Sequence, residues 1–258
     1  MNLSSRCRPL RSVPQRGSCC AHLGPDHPIQ RPDLAIYSQV EQIAGGIQPS
    51  WDSPDILSNS WGPFRLNPEA EVQVRNLSSI ASAANALVNF STAAFGIGFP
   101  RTLVATKKIT LAPSQQVMLK FPLEQAILSG DQRVGVFIDL EHPYDAKAIN
   151  NHGEQVHEGA FTSESGRDFH WVVPLFNNSY ASTAFVLQVI EDSLSATVSQ
   201  SSITLAPFAG SHATLHIKVP GGVHGTPANP AYCSATLLAK HADGSLIGGA
   251  TRLVRIDD

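Results

Sequence analysis

Charge is scarce in this chain. Charged residues fill 15% of 258 positions, and the formal net charge is −3. With no basic excess, a nucleic-acid binder held by phosphate contacts is excluded. No run of about 18 apolar residues occurs, so no helical membrane span is expected. Methionine is nearly absent, at 2, while Gly 19 and Pro 18 favour turns over long helices. No stretch sustains a period of about 3.6 residues. Cysteine is limited to Cys7, Cys19, Cys20 and Cys233. Neighbouring Cys19 and Cys20 would pair only with strain. A disulfide scaffold is therefore not expected, which fits a reducing or an indifferent compartment. What is present is apolar content of 42%, enough to exclude disorder throughout.

Residues 1–31 carry Arg6, Arg8, Arg11, Arg16 and Arg31 but no following apolar stretch of about 7–15 residues, so they do not read as a secretory signal. Pro9, Pro14, Pro25 and Pro28 interrupt any helix there. The expectation is a flexible basic arm, with a cytoplasmic protein or export by a specialised route. Cys19, Cys20, His22 and His27 match no zinc spacing.

Beyond the arm, apolar residues alternate with polar ones at period two, the mark of half-buried strands. Ala70, Val72 and Val74 share one face of Glu69–Asn76, and Glu71, Gln73 and Arg75 the other. Further strands are expected at 86–90, 109–111, 117–121 and 134–140. The last is apolar on both sides and therefore central. One helical turn is expected at 122–128. The second half gives strands at 171–176, 183–190, 203–205, 213–219, 232–240 and 246–256, with a hairpin signal at Asp243-Gly244. Cys233 reads as a small buried hydrophobe.

The two halves share an internal pattern. Val74-Arg75-Asn76-Leu77-Ser78 leads on to Ile109-Thr110-Leu111-Ala112-Pro113. Phe176-Asn177-Asn178-Ser179 leads on to Ile203-Thr204-Leu205-Ala206-Pro207. Six or seven strands per roughly 100 residues is the arithmetic of an immunoglobulin-like sandwich. The expected fold is all-β: two tandem immunoglobulin-like β-sandwiches at 32–160 and 161–258, joined by a polar linker at 159–168, with a flexible N-terminal arm at 1–31. Asn76 and Asn177 end strands where an amide can bond nearby backbone. Asn150-Asn151 with Gly153 suggests left-handed backbone, and Trp61-Gly62-Pro63 an aromatic lid at a sandwich end.

Ser53-Pro54-Asp55-Ile56, Val72-Gln73-Val74-Arg75-Asn76, Val88-Asn89-Phe90, His142-Pro143-Tyr144-Asp145 and Asn150-Asn151 together give residues 53–155 a familiar outline. This stretch resembles the bacterial cell-adhesion-related (CARDB-type) domains. The resemblance implies an immunoglobulin-like accessory module of a larger bacterial assembly, without catalysis of its own. The second unit matches only as a generic immunoglobulin-like sandwich.

No set of residues carries a catalytic or metal-binding signature. His152 and His157 are five apart, not the four that puts two zinc-binding histidines on one helical face. No Gly-x-Ser-x-Gly elbow or phosphate loop occurs. Asp139, Glu141, His142 and Asp145 cluster at a strand end, where oxygen ligands hold calcium in other proteins, but no Asp-rich calcium loop is present. The apolar stretch 95–104, with Phe95, Ile97, Phe99, Leu103 and Val104, is either an exposed docking patch or a hairpin folded over the core.

The resulting expectations are no enzyme and no catalytic, cofactor-binding or metal residues. Function is read as protein–protein interaction, as an adhesion-like or scaffold module. The alternatives are a carbohydrate- or calcium-binding module using the loops near Asp139–Asp145, and accessory domains of a hydrolase. A protein partner is expected, without nucleic acid or membrane insertion. A homo-oligomer stays open, since sheet edges add strands and the basic arm has an edge to dock on in another subunit.

Overall fold

The computed structural model describes residues 30–58, 69–123, 133–163, 166–191, 193–226, 229 and 231–256. The arm apart from Gln30 and Arg31, the Cys19–His27 group, Trp61-Gly62-Pro63 and the helical turn expected at 122–128 (apart from Pro122 and Leu123) lie outside these described residues.

The first half is built from β1 (Leu34–Ala35), β2 (Ile56–Ser58), β3 (Glu69–Asn76), β4 (Ala83–Ala94), β5 (Thr102–Leu111), β6 (Gln116–Pro122), β7 (Val134–Glu141) and β8 (His152–Gln155). One short helix, α1 (Gln39–Ala44), is capped by Ser38. β3 takes β6 on one side and β1 with β2 on the other. The second sheet runs β5-β4-β7-β8. Alternation drives this pairing: Ala70, Val72 and Val74 of β3 are fully buried and meet Val88 and Phe90 of β4 and Val136 and Ile138 of β7 in one core. Phe90 stacks on Phe121 at 4.8 Å. β7 does lie between two strands, buried on both faces from Gly135 to Ile138.

The second half comprises β9 (His157–Ser163), β10 (Asp168–Phe176), β11 (Thr183–Glu191), β12 (Ser195–Val198), β13 (Ser202–Leu205), β14 (Gly210–Lys218), β15 (Ala231–Lys240) and β16 (Leu246–Ile256). Its sheets run β10-β14-β12 and β13-β11-β15-β16-β9. All pairs are antiparallel except β9 with β16. The Asp243-Gly244 turn closes the β15–β16 hairpin. Cys233 is buried, as its setting suggested.

Two expectations are corrected. The stretch 159–168 is not a linker: 159–163 is the second part of β9, and Asp168 starts β10. A boundary at 160 thus falls inside a strand already laid along β16. Glu158 holds β9 there, accepting from Trp171 Nε1 at 2.9 Å and pairing with Arg252 at 2.8 Å and Arg133 at 3.1 Å. Second, the backbone at Asn150-Asn151 is a right-handed 3-10 turn, with Asn151 at φ −91°. Among the described non-glycine residues, positive φ occurs instead at Asn85, Ser114 and Phe208. Of the two readings of 95–104, the structure bears out the segment folded over the core. Phe95 and Ile97 are buried in the second core, and Leu103 alone among its large apolar side chains is well exposed.

The burial of Phe95 and Ile97 shows how the halves join. The second core takes in Trp51, Ala93, Phe95, Ile97, Phe137 and Val156 from the first half. Ile97 forms a parallel bridge to Leu175, donating to Pro174 O and accepting from Phe176 N. Gly98, at φ +83°, permits this approach, because a Cβ there would overlap Phe176 O. Phe99 stacks on Phe176 at 5.3 Å. Residues from Arg31 onward form one compact unit.

Candidate functional site

β8 is a strand, so His152 and Glu154 project to one side. β7 runs antiparallel beside it and sets Asp139 directly opposite His152. Arg101, just before β5, and Trp51, in the loop before β2, complete a polar cluster at the join. His152 Nδ1 donates to Asp139 Oδ1 at 2.6 Å, and its Nε2 lies 2.9 Å from Glu154 Oε1. Arg101 Nη2 donates to the same Glu154 oxygen at 2.6 Å, while its guanidinium lies 4.1 Å from the Phe137 ring centre. Glu154 Oε2 accepts from Trp51 Nε1 at 2.6 Å. Asp139 at the open end is the most exposed member, and Glu154 is deeply buried.

The charges balance, two carboxylates against Arg101 and a protonated His152. Burial by itself would push His152 down, but its hydrogen bonds to Asp139 and Glu154 outweigh it and raise the imidazole to about 9. Burial would likewise raise Glu154. His152, Arg101 and Trp51 reverse that and hold it below the usual carboxylate range. Asp139 is lowered chiefly by its hydrogen bond from His152. Arg101 Nη1 lies 3.1 Å from His152 Nε2. With His152 protonated, this is a contact between two cations sharing Glu154 and not a hydrogen bond. A buried pair of this kind tolerates no loss of one partner, since the survivor is left charged and unpaired.

Two cavities flank the cluster. One, of about 200 Å³, lies at the join between Ile97, Phe99, Arg101, Phe137, Glu154 and Gly248. The other is an open depression of about 470 Å³ bordered by Asn89, Ser91, Leu103, Asp139, Glu141 and His152.

The expected strand-end group is scattered by the fold. Asp139 pairs with His152, and Glu141 accepts from Asn89 at 2.7 Å. His142 Nε2 contacts Ala84 O at 3.2 Å. Asp145 accepts from Leu34 N, Lys147 N and Asn151 Nδ2. Among the described residues, no three His, Cys, Asp or Glu side chains come together as a metal set. The His157 side chain, the other member of the His152 and His157 pair, lies outside those described. The sequence reading missed Glu154, Arg101 and Trp51. The His152-x-Glu154 alternation on a strand was the available signal. Nothing local marks Arg101 or Trp51, which arrive from about 50 and 100 residues away.

The two strand-end asparagines do what their type suggested. Asn76 Nδ2 donates to Ala81 O, Leu111 O and Ala112 O, at 2.8, 3.4 and 3.1 Å. Asn177 Nδ2 donates to Ala181 O, Leu205 O and Ala206 O, at 2.8, 3.1 and 3.0 Å. Asp55 of the Ser-Pro-Asp-Ile run forks onto Arg75 and accepts from Tyr37 N.

The fold thus defines an all-β, sandwich-type protein. No family model matches the chain, and no curated protein does. Among solved structures it is similar to Escherichia coli alpha-2-macroglobulin activated by porcine elastase, at 9% identity and TM-score 0.31, over 88% of this chain and 22% of that one. It is also similar to the Vibrio cholerae VesB protease, at 12% identity and TM-score 0.28, over 70% and 64%. The chain spans less than two thirds of either protein, and likeness this slight carries no argument about function. No helix among the described residues is long and apolar enough to cross a membrane.

Proposed function

We propose that this chain is a non-catalytic interaction module of a bacterial assembly, adhesion-like or scaffold in kind, whose first half is a CARDB-type sandwich and whose two halves act as one body. The observation that carries this reading is the mutual saturation of the charged cluster. Both nitrogens of His152 and both oxygens of Glu154 are engaged within the protein, so the cluster works as a clasp. A general base needs a lone pair to take up a proton; His152, protonated at both nitrogens between Asp139 and Glu154, has none, and both Glu154 oxygens already accept from His152, Arg101 and Trp51. The test is a panel of ester, peptide and glycoside substrates with the wild type, Glu154→Gln and His152→Ala. The reading expects no turnover from any of them and a lower melting temperature for both variants. Turnover by the wild type that either substitution abolishes would overturn it.

A second reading, a carbohydrate-binding module, draws on the depression between Asn89, Asp139 and Glu141, whose amide and carboxylates border an open space. Calcium has less support, because Asp139, Glu141 and Asp145 are each bonded to different protein donors. Calorimetric titration with oligosaccharides and with calcium separates the two.

A further inference from the structure

The two halves treat one sheet edge differently. In the first half, the outer edge of β3 is covered: β2 pairs with Ala70–Val72 and β1 with Arg75–Asn76. Aligning Asn76 with Asn177 places Ala70–Val72 on Trp171–Val173 of β10. The burial pattern agrees, with Trp171, Val173 and Leu175 inside where Ala70, Val72 and Val74 are inside. The strand that would cover β10 is β9, and it has gone to β16 in the opposite sheet. Among the described residues, β10 therefore ends its sheet with β14 on one side only. Among the described residues, its backbone pairing on the other side is limited to the Ile97 bridge at Leu175.

That bridge fixes which backbone groups face outward. Pro174 O and Phe176 N point to Ile97, so the even-numbered residues of β10 present their N–H and C=O to the open edge. Asp168, His170 and Val172 are the outward residues not used by Ile97, and all three are exposed. Pro174 follows them, and its missing N–H lies on the outward side, where a proline is tolerated.

We propose that β10 is a docking edge for a second copy of this chain, paired antiparallel about a two-fold axis through His170. In this register Asp168 lies opposite the other copy's Val172, and His170 opposite its counterpart, so every outward N–H and C=O from 168 to 172 finds a partner. A register shifted toward the C-terminus brings Pro174 into the ladder and loses a donor. The match is self-complementary, as a two-fold interface requires. It continues the strand addition that Ile97 already makes on the same edge, and the joined sheet runs β12-β14-β10-β10-β14-β12. The small net charge puts little repulsion between copies. An edge this short makes a weak dimer, with a dissociation constant on the order of micromolar to millimolar.

The proposal rests on the interaction reading above, and sedimentation with amide hydrogen exchange on the full chain tests it. The expected result is a monomer–dimer equilibrium in which the His170 and Val172 amides gain protection as concentration rises. Val172→Glu, set against the other copy's Asp168, should weaken the dimer about tenfold, and Val172→Lys should tighten it severalfold. Both substitutions are at an exposed position, so folding survives. A monomer at every concentration overturns the proposal, as do amides protected independently of concentration, which would assign the edge to another segment of the same chain. Equal weakening by both variants overturns the register. A monomer that still binds some other protein would sink the edge pairing and leave the interaction role standing. Turnover lost in Glu154→Gln would do the reverse.

Discussion

Trp51 donates its indole N–H to Glu154 Oε2 at 2.6 Å while its ring lies flat on the backbone of Gly249. One fully buried side chain from the first half therefore closes the core of the second and satisfies the buried carboxylate between them. Its backbone adds to this, donating to Thr251 Oγ1 at 2.9 Å and accepting from Val156 N at 2.9 Å.

Trp51→Ala should cost about 3–5 kcal/mol, the usual range for emptying an aromatic site. It should also uncouple the halves, so that the single urea transition of the wild type divides in two. Trp51→Phe keeps most of the ring but strands one Glu154 oxygen, at roughly 1–3 kcal/mol. Gly249→Ala should resemble Trp51→Ala, because its methyl would occupy the ring's place. Urea melts followed by fluorescence and circular dichroism check all three.

The clasp makes stability depend on pH in a stated direction. His152 is raised in the folded state from 6.5 to about 9. Its contribution is complete below about 6.5 and is lost as pH rises through about 9. At about 1.4 kcal/mol per pH unit this amounts to roughly 3 kcal/mol. Asp139 and Glu154 are lowered, so their contribution is present above the ordinary carboxylate range and is lost as pH falls through their folded values. The melting temperature should therefore peak between about pH 5 and 6.5 and decline toward pH 9. In His152→Gln the alkaline decline should vanish. A wild-type profile that is flat from pH 6 to 9 would contradict the assignment.

Period two was legible because it is written into neighbouring residues. The range Glu69–Asn76 read from alternation is β3 as observed, and the central position expected for 134–140 is that of β7. The strand-end asparagines were legible for the same reason, since their acceptors lie on adjoining turns. What was not legible depends on which sheet edge a strand chooses. β9 looked like linker because Gly159, Ser163, Ser165 and Gly166 are turn formers, yet Glu158 between Trp171, Arg133 and Arg252 fixes it along β16. The clasp was hidden likewise: Asp139 read as one of a strand-end group with Glu141, His142 and Asp145, and Glu154 was not singled out until the fold set His152 between them.

Asn76→Ala and Asn177→Ala should destabilise by similar amounts, about 1–3 kcal/mol each, since each leaves carbonyl oxygens of the corresponding two turns in its own half without their donor. The two sites are far apart in the chain and share no partner, so the double variant should be additive within about 0.5 kcal/mol. Urea midpoints of the two single variants and the double variant test this.

The turns that these asparagines hold carry backbone strain. Ala112-Pro113-Ser114-Gln115 and Ala206-Pro207-Phe208-Ala209 each close with an N–H from the fourth residue to the first carbonyl, at 3.2 and 3.1 Å. Each places its third residue at positive φ, +55° for Ser114 and +54° for Phe208. A proline second and a left-handed residue third is the type II pattern, which favours glycine at the third position. Ser114→Gly should therefore stabilise by about 1 kcal/mol. Phe208→Gly relieves the same strain but gives up the edge-on contact of Phe208 with Tyr180, 4.9 Å between ring centres. That contact contributes about 0.5–1.5 kcal/mol, so the second substitution should be close to neutral. Thermal melts of the two variants side by side measure the difference. If Phe208→Gly proved the more stabilising, the aromatic contact would count for less than the geometry implies.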